Sequence, residues 1–192
     1  MMKTLYGHAY VLDVMSDDHP GIIAAVGGAV SALGGNIDAC SQTVLSGYFT
    51  LIMIVSFAEP IEPDALVEKV ATRESRGSRL QVIARPFVPD DLRPPPGDAE
   101  RFVITASGKD KPGIVLRFSQ YLAGKDINIV DLYGDRTGDD FVLISQVEIP
   151  ARCNLAMLQA DLEEMGREEG FTVRVQHENI FVATNQLRLR HA

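Results

Sequence analysis

The sequence predicts an α+β protein in which one βαββαβ unit occurs twice in tandem. Three observations support this fold class: an internal repeat, a proline-rich segment midway along the chain, and the same succession of strand and helix patterns in each half. The repeat is the pentapeptide DHPGI at residues 18–22, which recurs 92 residues later as DKPGI at residues 110–114. An Asn-Ile pair follows each copy at the same distance, at residues 36–37 and 128–129. Because the register is kept without a gap, the chain is interpreted as a duplication.

A stiff, extended linker is predicted between the two copies. Prolines stand at positions 86, 89, 94, 95 and 96, and proline fixes φ and cannot donate to a strand ladder. The sequence therefore predicts a first domain over residues 1–86, a linker over residues 87–100, and a second domain with a C-terminal tail over residues 101–192.

The first copy carries the periodicities of four strands and two helices. Strands are predicted where apolar residues alternate, and helices where they recur every three or four positions after a proline. The predicted elements are a strand at Tyr6–Met15, a helix opened by Pro20 and closed by Gly34-Gly35, strands at Asn36–Val44 and Tyr48–Phe57, a helix opened by Pro63, and a strand at Leu80–Arg85.

The second copy repeats this order. Its predicted elements are a strand around Ile104, a helix carrying Ile114 and Phe118, a hairpin of Asn128–Thr137 and Asp140–Ile149, a helix from Leu155 to Met165, and a strand around Val173. Residues 178–192 are left unassigned. Such an order folds as a ferredoxin-like sandwich, an antiparallel four-stranded sheet with both helices on one face. Apolar residues on the other face, such as Ile52 and Val142, predict a covering partner, either the sister domain or a second chain.

Charge and hydropathy exclude several classes of protein. The chain has 18 Lys and Arg against 26 Asp and Glu, a formal net charge of -8, so it lacks the basic face that direct binding to nucleic acid requires. No apolar run is long enough to span a membrane, and no secretory signal is recognisable. A cytoplasmic protein is expected.

The cysteine count gives no support for a metal site or a disulfide. Cys40 and Cys153 are the only cysteines, they form no CxxC pair, and both are predicted to be buried as small apolar residues. No metal and no cofactor are expected. Gly27 and Gly28, which lie inside the first predicted helix, are interpreted as sites of close helix–sheet packing.

The loop before the first helix of each copy has the chemistry of a binding site and also that of a helix start. Its glycine permits close approach of a ligand to the backbone, and the first-turn amides suit a carboxylate. The aspartate ahead of it can accept hydrogen bonds from an ammonium group, so a zwitterionic amino acid would match both ends. However, Asp-x-Pro-Gly is equally suited to capping and opening a helix, and an asparagine after glycines is suited to a turn.

Taken together, at this spacing and in two copies, these motifs resemble the ACT-domain family of amino-acid-sensing modules. The resemblance covers nearly the whole chain. It implies that the proline–glycine loop of one domain lies beside the asparagine of a paired domain, often with an amino acid between them. For this chain it pairs the 18–22 loop with Asn128 and the 110–114 loop with Asn36. The two copies differ after the asparagine, so one of the sites is expected to have lost its ligand.

The resemblance therefore implies fourteen candidate ligand-binding residues, seven from each copy. Those of the first copy are Asp18, His19, Pro20, Gly21, Ile22, Asn36 and Ile37. Those of the second copy are Asp110, Lys111, Pro112, Gly113, Ile114, Asn128 and Ile129. No catalytic residue is predicted.

A bare tandem of this length is most similar to the glycine cleavage system repressor group within the family. This implies a regulatory homodimer, without enzymatic activity, that binds a small amino acid such as glycine or serine. It would act on amino-acid metabolism or its transcription through a regulated protein or a DNA-binding partner protein. Two alternatives remain open. One is a ligand-free dimerisation scaffold, and the other is a small hydrolase, because residues 113–118 weakly resemble an acylphosphatase loop that includes Arg117.

Overall fold

The computed structural model describes residues 3–73, 80–89 and 98–182. Its strands and helices follow the order βαββαβ twice, which confirms the predicted fold class. The elements of the first half are β1 (His8–Asp17), α1 (Ile22–Ala32), β2 (Asn36–Leu45), β3 (Tyr48–Phe57), α2 (Pro63–Ala71) and β4 (Gln81–Pro86). Those of the second half are β5 (Ala99–Lys109), α3 (Ile114–Gly124), β6 (Asn128–Thr137), β7 (Asp140–Pro150), α4 (Leu155–Glu169) and β8 (Phe171–His177).

The chain divides into two units, Met1–Pro95 and Pro96–Ala192, which we call domain 1 and domain 2. Strand β5 begins at Ala99, so residues 99 and 100 of the predicted linker belong to a strand of domain 2. Residues 90–97 of that linker lie outside the described residues. Residues 178–182 of the predicted tail are helical, and the rest of the tail also lies outside the described residues.

Domain 1 is one antiparallel sheet in the order β2-β3-β1-β4, covered by α1 and α2. Alternate residues of β1 and β3 point into the core, as the period of two requires. They meet the apolar side of each helix, for example Val26 of α1 and Leu66 of α2, which are fully buried. Since one face of the sheet supplies the core, both helices lie on that face.

Domain 2 repeats this arrangement in the order β6-β7-β5-β8, with α3 and α4 over the core face. A β-bulge interrupts the pairing of β2 with β3 between Ile37 and Ala39, and another interrupts β6 with β7 between Ile129 and Asp131. The two bulges fall at the same place in the repeat. The duplication therefore extends to an irregularity of the backbone.

The first strand and the first helix each begin two residues later than predicted. The first strand begins at His8 rather than Tyr6, because the Tyr6 amide donates to the Ser56 hydroxyl at 3.2 Å. Helix α1 begins at Ile22 rather than Pro20, since Gly21 is its N-cap in the left-handed conformation.

The interpretation of Gly27 and Gly28 as close-packing positions is wrong. A Cβ at Gly28 would meet nothing within 4 Å, and one at Gly27 would make only an ordinary contact with Ile37 at 3.5 Å. Close packing is instead found at Gly35, Gly108 and Gly166, where a Cβ would lie less than 3.0 Å from a neighbouring atom. These glycines lie beside residues from other elements, which the position in the sequence did not reveal.

The predicted burial of both cysteines is also wrong, because Cys40 is exposed and Cys153 is half-buried. Cys40 lies on β2, which is an edge strand, and every residue from Cys40 to Leu45 is exposed. Among the described residues, no group of three or more His, Cys, Asp or Glu side chains is placed to hold a metal ion. In the same part of the chain, no helix has the length and apolarity needed to cross a membrane.

Candidate functional site

The first helix of each domain begins without a side-chain cap. Gly21 and Gly113 are the N-caps of α1 and α3, with φ of 108° and 94°, a region in which only glycine is unstrained. No side chain accepts a hydrogen bond from the first turn of either helix. By contrast, the Asn154 side chain caps α4 by accepting from the Met157 amide at 3.1 Å. Asp18 and Asp110 are therefore not capping residues.

The loop of domain 1 is anchored to the β2–β3 hairpin and borders an open cleft. The Asp18 amide donates to the Gly47 carbonyl at 2.8 Å, which places the loop beside the end of β2. The cleft has a volume of about 450 Å³. It is lined by Asp18, His19, Pro20, Gly21, Ile22, Ile23, Ala24, Gln42, Val44 and Phe49.

Both polar and apolar groups line this cleft. Asp18 is exposed, and the first bond within α1 runs from the Ala25 amide to the Gly21 carbonyl at 2.9 Å, so the amides before Ala25 precede the helical ladder. Ile23 and Val44 are 48% and 44% exposed. The cleft thus offers a carboxylate, a set of backbone donors and an apolar wall.

The loop of domain 2 has the same backbone anchor but a different electrostatic environment. The Asp110 amide donates to the Asp139 carbonyl at 2.8 Å, which is the counterpart of the bond in domain 1. The Asp110 carboxylate, however, forms an ion pair with Arg136, with Nε and Oδ2 3.3 Å apart. Arg136 Nε also donates to the Gly138 carbonyl at 2.9 Å. Arg136 occupies the position that Val44 holds in domain 1, so a side chain of domain 2 already gives this aspartate a cationic partner.

The other loop residues divide between backbone and packing roles. Ile22 and Ile114 are buried in their cores, so only their backbone amides are available to a ligand. The His19 ring lies with Nδ1 3.2 Å from the Pro20 carbonyl. The Lys111 ammonium lies close to Gly170, at the end of α4.

Asn36 is not among the residues that line the cleft of domain 1. Asn36 begins β2, about 20 Å along the strand from Gln42, and its amide donates to Asp38 Oδ1 at 2.9 Å. Asn128 begins β6 and donates to Glu148 Oε2 at 3.2 Å. The adjoining Ile37 is partly exposed and Ile129 packs at the margin of its core. The pairing of each loop with the asparagine of the other domain stays a prediction.

Asp38 makes the surroundings of Asn36 acidic. Its Oδ1 accepts from the Leu5 amide at 2.8 Å as well as from Asn36. Its Oδ2 is buried and has no hydrogen-bond partner among the described residues. Val130 stands at this position in the second copy, where Asn128 donates to the Glu148 carboxylate instead, so the two asparagines have acidic neighbours from different positions.

The sequence prediction missed the wall of the cleft. Ile23 and Ala24 follow the motif directly. Gln42 and Val44 come from β2, and the bulge at Asp38 decides which side chains of that strand point toward the loop. One signal was available in the sequence: when the two copies are aligned, Val44 of the first corresponds to Arg136 of the second.

Domain 2 has a cleft of about 320 Å³ at a different place, between the end of α3 and the start of α4. Tyr121, which lines this cleft, donates its hydroxyl to Asp161 Oδ2 at 2.7 Å. Burial, together with the neighbouring Asp161 carboxylate, raises the pKa of Tyr121 above its usual range. The hydrogen bond from Tyr121 in turn lowers the pKa of Asp161, and Lys125 lowers it further. Lys125 Nζ lies 3.5 Å from Asp161 Oδ2. Arg152 Nη2 lies 2.6 Å from Asp126 Oδ2.

Residues 100–176 match the family model of the ACT domain. Related sequences include a UPF0237 protein of Methanococcus maripaludis, 42% identical over 83 residues, which are 43% of this chain and 92% of that protein. A UPF0237 protein of Methanocaldococcus jannaschii is 39% identical over 82 residues, which are 42% of this chain and 91% of that protein.

Two solved structures are similar along most of the chain. A protein of unknown function from Galdieria sulphuraria gives a TM-score of 0.71 at 22% identity, covering 88% of this chain and 98% of its own. A proposed glycine cleavage system transcriptional repressor gives a TM-score of 0.59 at 20% identity, covering 89% of this chain and 98% of its own. At these identities the likeness concerns the fold alone.

Proposed function

The chain belongs to the ACT-domain family of regulatory domains, and on that premise we propose that it is a regulatory protein that binds a small amino acid at the 18–22 loop of domain 1. The single observation behind this proposal is the open cleft at that loop, where an exposed carboxylate and uncapped helix amides lie together. The bound amino acid would regulate amino-acid metabolism or its transcription through protein–protein contacts. No catalytic step is part of the proposal.

The two ends of an amino acid match the two polar parts of this cleft. The amides at the tip of α1, supported by the helix dipole, suit the carboxylate of the ligand. Asp18 suits its ammonium group, and a charge-assisted hydrogen bond of this kind contributes about 1.5–3 kcal/mol. The alternative role of Asp18 as a helix cap is not observed, so the cap does not compete for its carboxylate.

The ligand is proposed for the loop of domain 1 and not for that of domain 2. Asp110 already has a guanidinium partner in Arg136, and an ammonium ligand would have to displace it. We therefore expect the 18–22 loop to bind the ligand and the 110–114 loop to have only a structural role. This accords with the divergence between the copies after their asparagines.

Contacts with other proteins are proposed for the outer faces of the sheets. On the sheet of domain 1, Ile52 and Ile83 are 46% and 65% exposed, and Val142 is exposed on that of domain 2. Such apolar side chains favour a protein partner, either a second copy in a homodimer or the regulated protein. The acidic net charge favours a DNA-binding partner protein over direct contact with nucleic acid.

The same faces favour a second candidate function, a dimerisation scaffold that binds no small ligand. A hydrolase is the weaker alternative, because Arg117, on which the acylphosphatase-like pattern depends, forms an ion pair with Glu169 of α4. Binding of an amino acid separates the first two functions.

The test is the thermal unfolding of the full chain against a panel of amino acids. A ligand at about 100 times its dissociation constant should stabilise the fold by about 2.7 kcal/mol. Asp18→Ala should weaken binding by about 10-fold or more, because the ammonium group loses a charged partner. Asp17→Ala is the matched control, since it removes an adjacent exposed carboxylate outside the cleft. If no amino acid shifts the melting temperature, the scaffold function replaces the sensor.

A further inference from the structure

The cleft of domain 1 has an apolar wall that glycine or serine would leave uncovered. Resting on the proposed function, we infer that its ligand is an amino acid with an apolar side chain between valine and methionine in size. The inference depends on the volume of the cleft, on the two exposed apolar side chains within it, and on the contrast with domain 2.

The volume of the cleft exceeds what the smallest amino acids fill. Glycine has about five non-hydrogen atoms and leucine or methionine about nine, and each bonded atom takes up less than the roughly 30 Å³ of a water molecule in the liquid. The cleft measures about 450 Å³. Glycine would therefore leave more than about two thirds of the space to water, and leucine or methionine would fill more of it.

The apolar wall consists of Ile23 on α1 and Val44 on β2, whose side chains are 48% and 44% exposed. Both lie beside the polar groups that would hold the ligand backbone, so the side chain of a bound amino acid has this wall within reach. Covering apolar surface stabilises a complex by about 25 cal/mol per Å². A ligand side chain with methyl or methylene groups gains this stabilisation, and a hydroxymethyl group gains less of it.

The polar groups of the wall region do not favour a charged side chain. Gln42 is the remaining side chain of β2 that lines the cleft in addition to Val44, and it is neutral. Among the lining residues Asp18 is the only carboxylate, and it is assigned to the ammonium group. In domain 2 the position of Val44 is occupied by the cation Arg136, which shows that this position can carry a charge in the same fold.

Calorimetric titration of the full chain with glycine, serine, valine, leucine and methionine tests the inference. Each buried methylene contributes about 0.8 kcal/mol, or about 4-fold in affinity. Leucine or methionine should therefore bind at least about 10-fold more tightly than glycine. Ile23→Ser and Val44→Ser should each reduce leucine affinity by about 5-fold or more and leave glycine affinity within about 2-fold.

Val115→Ser provides the matched control, because Val115 is the counterpart of Ile23 on α3 and is 50% exposed. It should change neither affinity. The three substituted side chains are all well exposed, and unfolding of each variant without ligand verifies that it folds.

Each outcome identifies which proposal fails. If glycine or serine binds as tightly as leucine, the preference for an apolar side chain is wrong and the proposed amino-acid sensor stands. If leucine is preferred but neither serine variant reduces the preference, the apolar wall is not the specificity element. If no amino acid binds the parent chain, the proposed function itself fails.

Discussion

The two proline–glycine loops share one backbone and differ in one contact. In both domains the aspartate amide donates to the hairpin turn at 2.8 Å, and the helix begins after a left-handed glycine. In domain 2, Arg136 pairs with the Asp110 carboxylate, whereas in domain 1 Val44 stands in its place and leaves Asp18 in an open cleft. A single strand position thus decides whether the aspartate of the same loop has a cationic partner.

The contrast teaches that a repeated backbone does not imply a repeated site. The residues of the loop motif are nearly the same in both copies, and the residue that distinguishes the loops comes from the neighbouring edge strand. Differences of this kind continue into the cores, where Ser16, Ala29 and Met53 of domain 1 correspond to Gly108, Tyr121 and Ser145 of domain 2.

The largest expected effect is at a close backbone approach in domain 2. In Gly108→Ala the new Cβ would lie 2.6 Å from Phe171 Cα and 2.7 Å from the Gly170 carbonyl oxygen. Because both are backbone atoms, β5 and β8 would have to separate, and we expect a loss of about 3 kcal/mol in the free energy of unfolding. Chemical denaturation measures this value.

The control for that substitution is Gly28→Ala in domain 1. Its Cβ would meet nothing within 4 Å, and alanine is favoured over glycine in a helix by about 1 kcal/mol. We expect a small gain in stability. Equal destabilisation by the two substitutions would contradict the difference in packing.

A smaller effect is expected when the loop of domain 1 is converted to that of domain 2. In Val44→Arg the guanidinium should pair with Asp18 as Arg136 pairs with Asp110 at 3.3 Å, and it should close the cleft. Amino-acid binding, measured by calorimetry, should weaken by about 10-fold or more, because the ligand must displace the ion pair. The reciprocal Arg136→Val chain should keep the affinity of the 18–22 loop and should also free Asp110 for a second ligand. Unchanged binding by Val44→Arg would remove the contrast between the loops.

Two fully buried serines give a smaller difference still. Ser56 Oγ accepts from the Tyr6 amide, whereas Ser145 Oγ has no hydrogen-bond partner among the described residues. Ser56→Ala should cost about 1 kcal/mol, since it leaves a donor unpaired. Ser145→Ala should be neutral or stabilising, because it removes a hydroxyl that is buried without compensation. Thermal unfolding of both variants measures the difference, and a larger cost for Ser145→Ala would reverse the assignment.

The smallest expected effect is on pH dependence in domain 2. The hydrogen bond from Tyr121 lowers the pKa of Asp161, so its contribution to stability is present above the ordinary carboxyl pKa and is lost as pH falls through the lowered value. Tyr121→Phe should raise the pKa of Asp161 toward its usual value, as an NMR titration of its carboxyl carbon would measure. Domain 1 has Ala29 at this position and no such pair. An unchanged pKa would show that Lys125 alone lowers it.

Much of the fold followed from local patterns in the chain. The alternation from Tyr48 to Phe57 matches β3 residue for residue, and Pro63 opens α2 as predicted. These features were predictable because period and turn chemistry act over a few residues. The exposure of Cys40 was not predictable, because the burial of a residue on an edge strand depends on what covers that strand.

The sequence by itself determined the duplication, the order of strands and helices, and the two loops with glycine where a left-handed residue is needed. It did so because neighbouring residues decide backbone conformation. Only the tertiary structure decided that Asp110 meets a cation while Asp18 borders a cleft. That outcome depends on the register of an edge strand against a distant loop, and such a register is set by pairing across the whole sheet.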